Sequence, residues 1–176
     1  LLSSDKKQTS KDWFYSFDWT AEELDEEKSE DRNSWLVLSE DDAFSAEVSG
    51  KLETSGATVS TLKREDEITI QDGETLNVLY ILTQSDLPID FETSMKYSND
   101  LTILAQKLVN TCGDNQANIT IITRGVHPVL DGELAPNLSL SPLWGLGGVI
   151  TNEHPNIQCR LIDLNSKKEN NEIDIV

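Results

Sequence analysis

Hydrophobic and polar residues fall in blocks along this chain, and the blocks predict strands alternating with helices. Trp35-Leu36-Val37-Leu38 is a short continuous apolar run, as a strand buried on both faces requires. A helix is predicted over about 41–55, with Ser39 as its N-cap, Asp41 and Asp42 favourable in its first turn, and Gly56 ending it. Residues 57–62 predict a second strand and residues 76–82 a third, the most hydrophobic of the set. After Leu87-Pro88, the residues Phe91, Met95, Leu101, Leu104, Ala105 and Leu108 recur at helical spacing as one apolar stripe. Residues 118–123 predict a fourth strand. Ser141-Pro142 opens a helix through about residue 152, proline being tolerated in a first turn. Residues 157–164 predict the fifth strand.

Short apolar strands alternating with amphipathic helices predict an α/β fold: a Rossmann-like, doubly wound, mainly parallel sheet of about five strands. Right-handed crossovers make 2-1-3-4-5 the simplest strand order. Nearer the N-terminus, Trp13, Tyr15, Phe17 and Trp19 alternate with Phe14, Ser16 and Asp18, which predicts an additional aromatic strand whose ridge needs a partner surface. Residues 21–33 carry nine charged side chains and read as a surface connector.

Composition narrows the function classes. With 176 residues there is room for one domain with a real core, and the 37% hydrophobic share is concentrated in the middle of the chain. Lys and Arg total 14 against 32 Asp and Glu, a net charge of -18. That field repels nucleic acid and anionic lipid and weighs against a phosphate-rich cofactor. No apolar run approaches the ~20 residues of a membrane helix, and Leu1-Leu2-Ser3-Ser4-Asp5 lacks the basic start and apolar stretch of a signal peptide. Two cysteines, Cys112 and Cys159, are too few for a disulfide framework and read as core thiols of a reducing, cytoplasmic compartment. The single methionine is Met95, so the chain reads as processed or cut from something longer. Residues 1–12 and 166–176 then read as linkers around a domain at 13–165.

Candidate chemistry is sparse. A dinucleotide-binding fold carries glycines in the turn after its first strand, where the chain has Ser39-Glu40-Asp41-Asp42-Ala43. Side chains there block the approach of a pyrophosphate, and three carboxylates repel it. The only glycine cluster, Gly145, Gly147 and Gly148, lies among Leu143, Trp144, Leu146, Val149 and Ile150, in the middle of a helix. These glycines are expected to be spacers for close packing. His127 and His154 have no partner at metal-ligand spacing. Tyr15, Tyr80 and Tyr97 are followed four residues on by Trp19, Gln84 and Leu101, so the Tyr-x-x-x-Lys pair of short-chain reductases is missing. No catalytic, cofactor-binding or metal-binding residue is expected. Trp13, Tyr15, Phe17, Trp19, Trp144, Gly145, Gly147 and Gly148 are expected to serve structure or an interface.

The aromatic segment Phe14-Tyr15-Ser16-Phe17-Asp18-Trp19, the strand Trp35-Leu36-Val37-Leu38-Ser39, and above all Pro142-Leu143-Trp144-Gly145-Leu146-Gly147-Gly148-Val149-Ile150 with Glu153-His154-Pro155 and Arg160-Leu161-Ile162-Asp163-Leu164 carry a family resemblance. Over residues 13–165 the chain resembles the structural subdomain of the ketoreductase region in modular type I polyketide synthases. The resemblance implies a truncated Rossmann-like half that is non-catalytic and supports a second, C-terminal half. That second half would hold NADPH and the Ser, Tyr and Lys of a short-chain reductase, and none of these carries over to this chain. Implied partners are the ketoreductase catalytic subdomain and neighbouring synthase domains. In some modules a methyltransferase or enoylreductase stands between the halves, and in others the structural half persists where reduction is lost. Two other readings remain open: a small freestanding oxidoreductase with a site near Ser39, Thr83 and Arg124, and a module that docks a basic partner through the acidic connector.

Overall fold

A computed structural model describes residues 19–22, 33–70, 73–84, 87–129, 137–168 and 172. Among these, five strands form one sheet: β1 (Ser34–Ser39), β2 (Thr58–Thr61), β3 (Leu76–Leu82), β4 (Ala117–Arg124) and β5 (Ile157–Leu164). The order is β2-β1-β3-β4-β5, and every neighbouring pair is parallel. The crossovers carry the helices α1 (Asp42–Thr54), α2 (Phe91–Cys112) and α3 (Ser141–Glu153). Between β2 and β3 the described residues contain no helix. The predicted architecture and order are therefore present.

Alternate residues of the central strands divide the core into two layers, as the period of two requires. On one face Val78, Tyr80, Leu82, Ile119 and Ile121 pack against Leu101, Leu104 and Leu108 of α2 and Leu143 and Ile150 of α3. On the other, Val37, Leu79, Ile81 and Ile122 pack against Phe44 and Val48 of α1. All seven residues of β3 are buried, which is why this segment is apolar almost throughout. Cys112 is buried and Cys159 half-buried, both free, in keeping with core thiols.

Two local expectations are corrected. The N-cap of α1 is Asp41, whose side chain accepts the Phe44 N–H at 3.1 Å. Ser39 is still paired in β1, and its hydroxyl accepts the Asp41 N–H instead. The apolar stripe of α2 runs through Tyr97, Leu101, Leu104, Ala105, Leu108 and Cys112, while Phe91 and Met95 are exposed. At about 100° per residue, six positions back from Leu101 is far off its face, whereas four positions back, at Tyr97, is on it. Toward the C-terminus, Glu172 is buried in an ion pair with Arg124.

Candidate functional site

Open α/β sheets take ligands outside the carboxyl ends of the strands, at the point where strand order reverses; here that is between β1 and β3. A cleft of about 440 Å³ lies there, lined by Glu40, Asp41, Asp42, Phe44, Thr83, Gln84, Arg124, Ser166 and Lys168. Its inner wall is knit together by the chain's own groups. The Thr83 hydroxyl donates to Asp41 Oδ2 at 2.8 Å, and the Gln84 side-chain amide donates to the Glu40 carbonyl. Arg124 Nε donates to the Thr83 carbonyl at 3.2 Å. Asn137 Nδ2 bridges the carbonyls of Gln84 and Arg124 at 3.1 and 2.7 Å.

Asp41 is the decisive group. Burial pushes its pKa up, but the Phe44 N–H, the Thr83 hydroxyl and the charge of Lys168 outweigh this and hold its carboxyl below the ordinary range. The helix N-terminus that would cradle a phosphate is thus filled by a charged carboxylate. The residues at α1 do not fit a dinucleotide diphosphate. Ser39, Thr83 and Arg124, the trio an enzyme site would draw on, are brought to one end of the sheet. Ser39 and Thr83 are engaged with Asp41, and Arg124 is buried in an ion pair with Glu172.

A second cluster occupies the ends of β4 and β5. The Asp163 carboxylate accepts from the Thr123 hydroxyl at 2.8 Å and from the backbone N–H groups of Val126 and His127 at 2.9 and 2.8 Å. Trp144 Nε1 donates to Thr123 Oγ1 at 3.3 Å. The His127 ring meets Trp144 edge-on at 4.4 Å between centroids, and Trp19 lies 5.8 Å from His127 and 6.2 Å from Trp144. Trp19 and Trp144 are therefore brought together, with His127 against both; from its residues alone His127 reads only as a loop histidine before Pro128. Trp19 is 49% exposed and is not in a strand. Trp13, Tyr15 and Phe17 lie outside the described residues, as does the acidic connector over 23–32.

The glycines of α3 separate into two kinds. Gly147 is buried, and a Cβ built there would stand 3.2 Å from the Leu161 side chain of β5, so it is the spacer expected. Gly145 and Gly148 are exposed, with nothing within 4 Å of an added Cβ, which corrects the reading of all three as packing spacers. They share the outer face of α3 with Pro142, Val149, Asn152 and Glu153, all exposed. Beside this face, a groove of about 310 Å³ between α2 and α3 is lined by Thr102, Ala105, Gln106, Val109, Asn110, Leu146, Ile150 and His154. None of these residues is Asp, Glu, Lys or Arg, in a chain where 26% are. Among the described residues no group of three or more His, Cys, Asp or Glu could hold a metal, and no helix is long and apolar enough to cross a membrane.

Known proteins with similar sequences and folds are polyketide synthases and their ketoreductases. No protein-family model matches the chain. A phenolphthiocerol/phthiocerol polyketide synthase subunit of Mycobacterium tuberculosis is 38% identical over 76 residues, and the Mycobacterium bovis protein of that name matches equally. The match takes in 43% of this chain and 4% of the length of those relatives. Among solved structures, a C2-type ketoreductase from a modular polyketide synthase superposes with a TM-score of 0.64 at 20% identity, over 89% of this chain and 36% of that one. The chain resembles the ketoreductase region of modular polyketide synthases. The first ketoreductase of the tylosin polyketide synthase follows, with a TM-score of 0.53 at 20% identity over 76% of this chain and 31% of its own. Both solved chains extend well beyond the part that corresponds to this ketoreductase-like fold.

Proposed function

We propose that this chain is a non-catalytic structural subdomain that supports the NADPH-dependent reductase half of a modular polyketide synthase. In this reading the parent module reduces β-keto intermediates held on a carrier protein, in the cytoplasm. The chain itself binds no cofactor and contributes no catalytic residue.

The observation that carries this reading is the outer face of α3. A glycine in a helix interior costs about 1 kcal/mol relative to alanine. Gly145 and Gly148 incur that cost with no contact among the described residues that needs them. That favours a use for a surface beyond the described residues, and the uncharged α2–α3 groove alongside is the composition expected at the centre of a protein interface. The occupied α1 N-terminus speaks against a freestanding nucleotide-dependent enzyme, since Asp41 takes the amide a phosphate would need.

The test is reconstitution in trans. The reductase half of the parent synthase is assayed for thermal midpoint and ketone reduction, alone and with this chain added. The expected result is a higher midpoint and higher activity with the chain present, and loss of both gains with Gly145→Arg or Gly148→Arg. Equal behaviour with and without the chain would contradict the scaffold role.

A further inference from the structure

We propose that the chain carries its own strap at the carboxyl end of the sheet: residues 165–168 are held along the β1–β3 crevice, and Glu172 serves Arg124 as a built-in anion. Arg124 ends β4 and is 5% exposed, as is Glu172. The guanidinium donates through Nη1 and Nη2 to the two Glu172 oxygens at 2.7 and 2.6 Å. It also donates to the carbonyls of Asn165, at 2.8 Å, and of Thr83, at 3.2 Å. One side chain therefore ties the end of β3, the residue after β5 and the tail to one another.

Burying two opposite charges is unfavourable unless the geometry is bidentate and the remaining donors find acceptors; here the pair is bidentate, and four of the five guanidinium N–H groups have acceptors. A passing surface contact would not meet them. The tail also matches the crevice in the opposite sign. Ser166 and Lys168 line the same cleft as Glu40, Asp41 and Asp42. Thus the tail delivers a carboxylate to the cation at the base and an ammonium to the acidic lip. This is the place where open α/β sheets bind ligands, and the chain's own C-terminal residues take it. The strap is a property of this chain alone and does not depend on the scaffold reading.

Hydrogen exchange on the full chain tests it. The amides of residues 165–168 are expected to exchange at least about tenfold more slowly than in a free peptide of the same sequence. Glu172→Gln is expected to bring them to the free-peptide rate while β3 and β4 stay protected. Free-peptide rates in the unaltered chain, or unchanged protection in Glu172→Gln, would overturn the strap. Should Glu172→Gln unfold the sheet by leaving Arg124 buried without its anion, Arg124→Met with Glu172→Ala removes both charges. That double variant is expected to keep β3 and β4 protected and release the tail; a tail still protected would overturn the proposal.

Discussion

Gly145, Gly147 and Gly148 lie within four residues of one another, yet substitution should affect them in opposite directions. Alanine at Gly145 or Gly148 meets no neighbour, so each should stabilise the isolated chain by about 1 kcal/mol through helix propensity alone. Valine at Gly147 would drive branched methyls into Leu161 and should cost about 1–3 kcal/mol. Urea unfolding of the three variants checks this, and a destabilised Gly148→Ala would show that its face is already covered within the chain. The two tryptophans should also differ. Trp144 is half-buried, hydrogen-bonded to Thr123 and edge-on to His127, so Trp144→Ala should cost about 2–3 kcal/mol, below the fully buried range. Trp19, half exposed, adds an aromatic contact, and Trp19→Ala should cost about 1 kcal/mol by the same assay.

At the scale of elements, α1 depends on Asp41 for its start. Asp41→Ala should lower stability by about 1–2 kcal/mol near neutral pH, because the cap is lost and the Thr83 hydroxyl loses its acceptor. The folded-state pKa of Asp41 lies below its ordinary value of 3.8, so its contribution is present above that value. It is lost as the pH falls from near 4 through the lower folded value. The stability gap between the unaltered chain and Asp41→Ala should therefore narrow only below about pH 4, as denaturant midpoints across pH would report. A gap constant down to about pH 2 would mean that the Asp41 charge does not matter.

The elements themselves were largely legible in the residues. Residues 76–82 and 157–164, predicted as strands, are the bounds of β3 and β5; β3, buried along its whole length, reads as a near-continuous apolar run, while the edge strand β5 mixes polar residues with apolar ones. Tertiary placement was less legible. The N-cap moved from Ser39 to Asp41 because pairing with β3 carries β1 through Ser39. The outward rotation of Gly145 and Gly148 depends on how α3 sits on the sheet, which local sequence does not encode. The Arg124–Glu172 pair joins residues 48 apart and leaves no local signature. At the candidate site, the carboxylates of the first turn were legible as residues, but that Asp41 caps α1 was not. His127 was visible only as a lone histidine before a proline, so its place against Trp19 and Trp144 needed the fold.

The whole molecule combines three features: an all-parallel sheet, a crevice lined in part by the chain's own tail, and an uncharged groove between α2 and α3 in a chain of net charge -18. The first is the fold shared with polyketide synthase ketoreductases. The other two divide the labour proposed for it, with nucleotide chemistry left to a partner half and docking assigned to α2 and α3. Calorimetric titration of NADPH into the pure, full chain tests this division most directly. No saturable heat is expected up to millimolar nucleotide; saturable binding in the micromolar range would contradict the division.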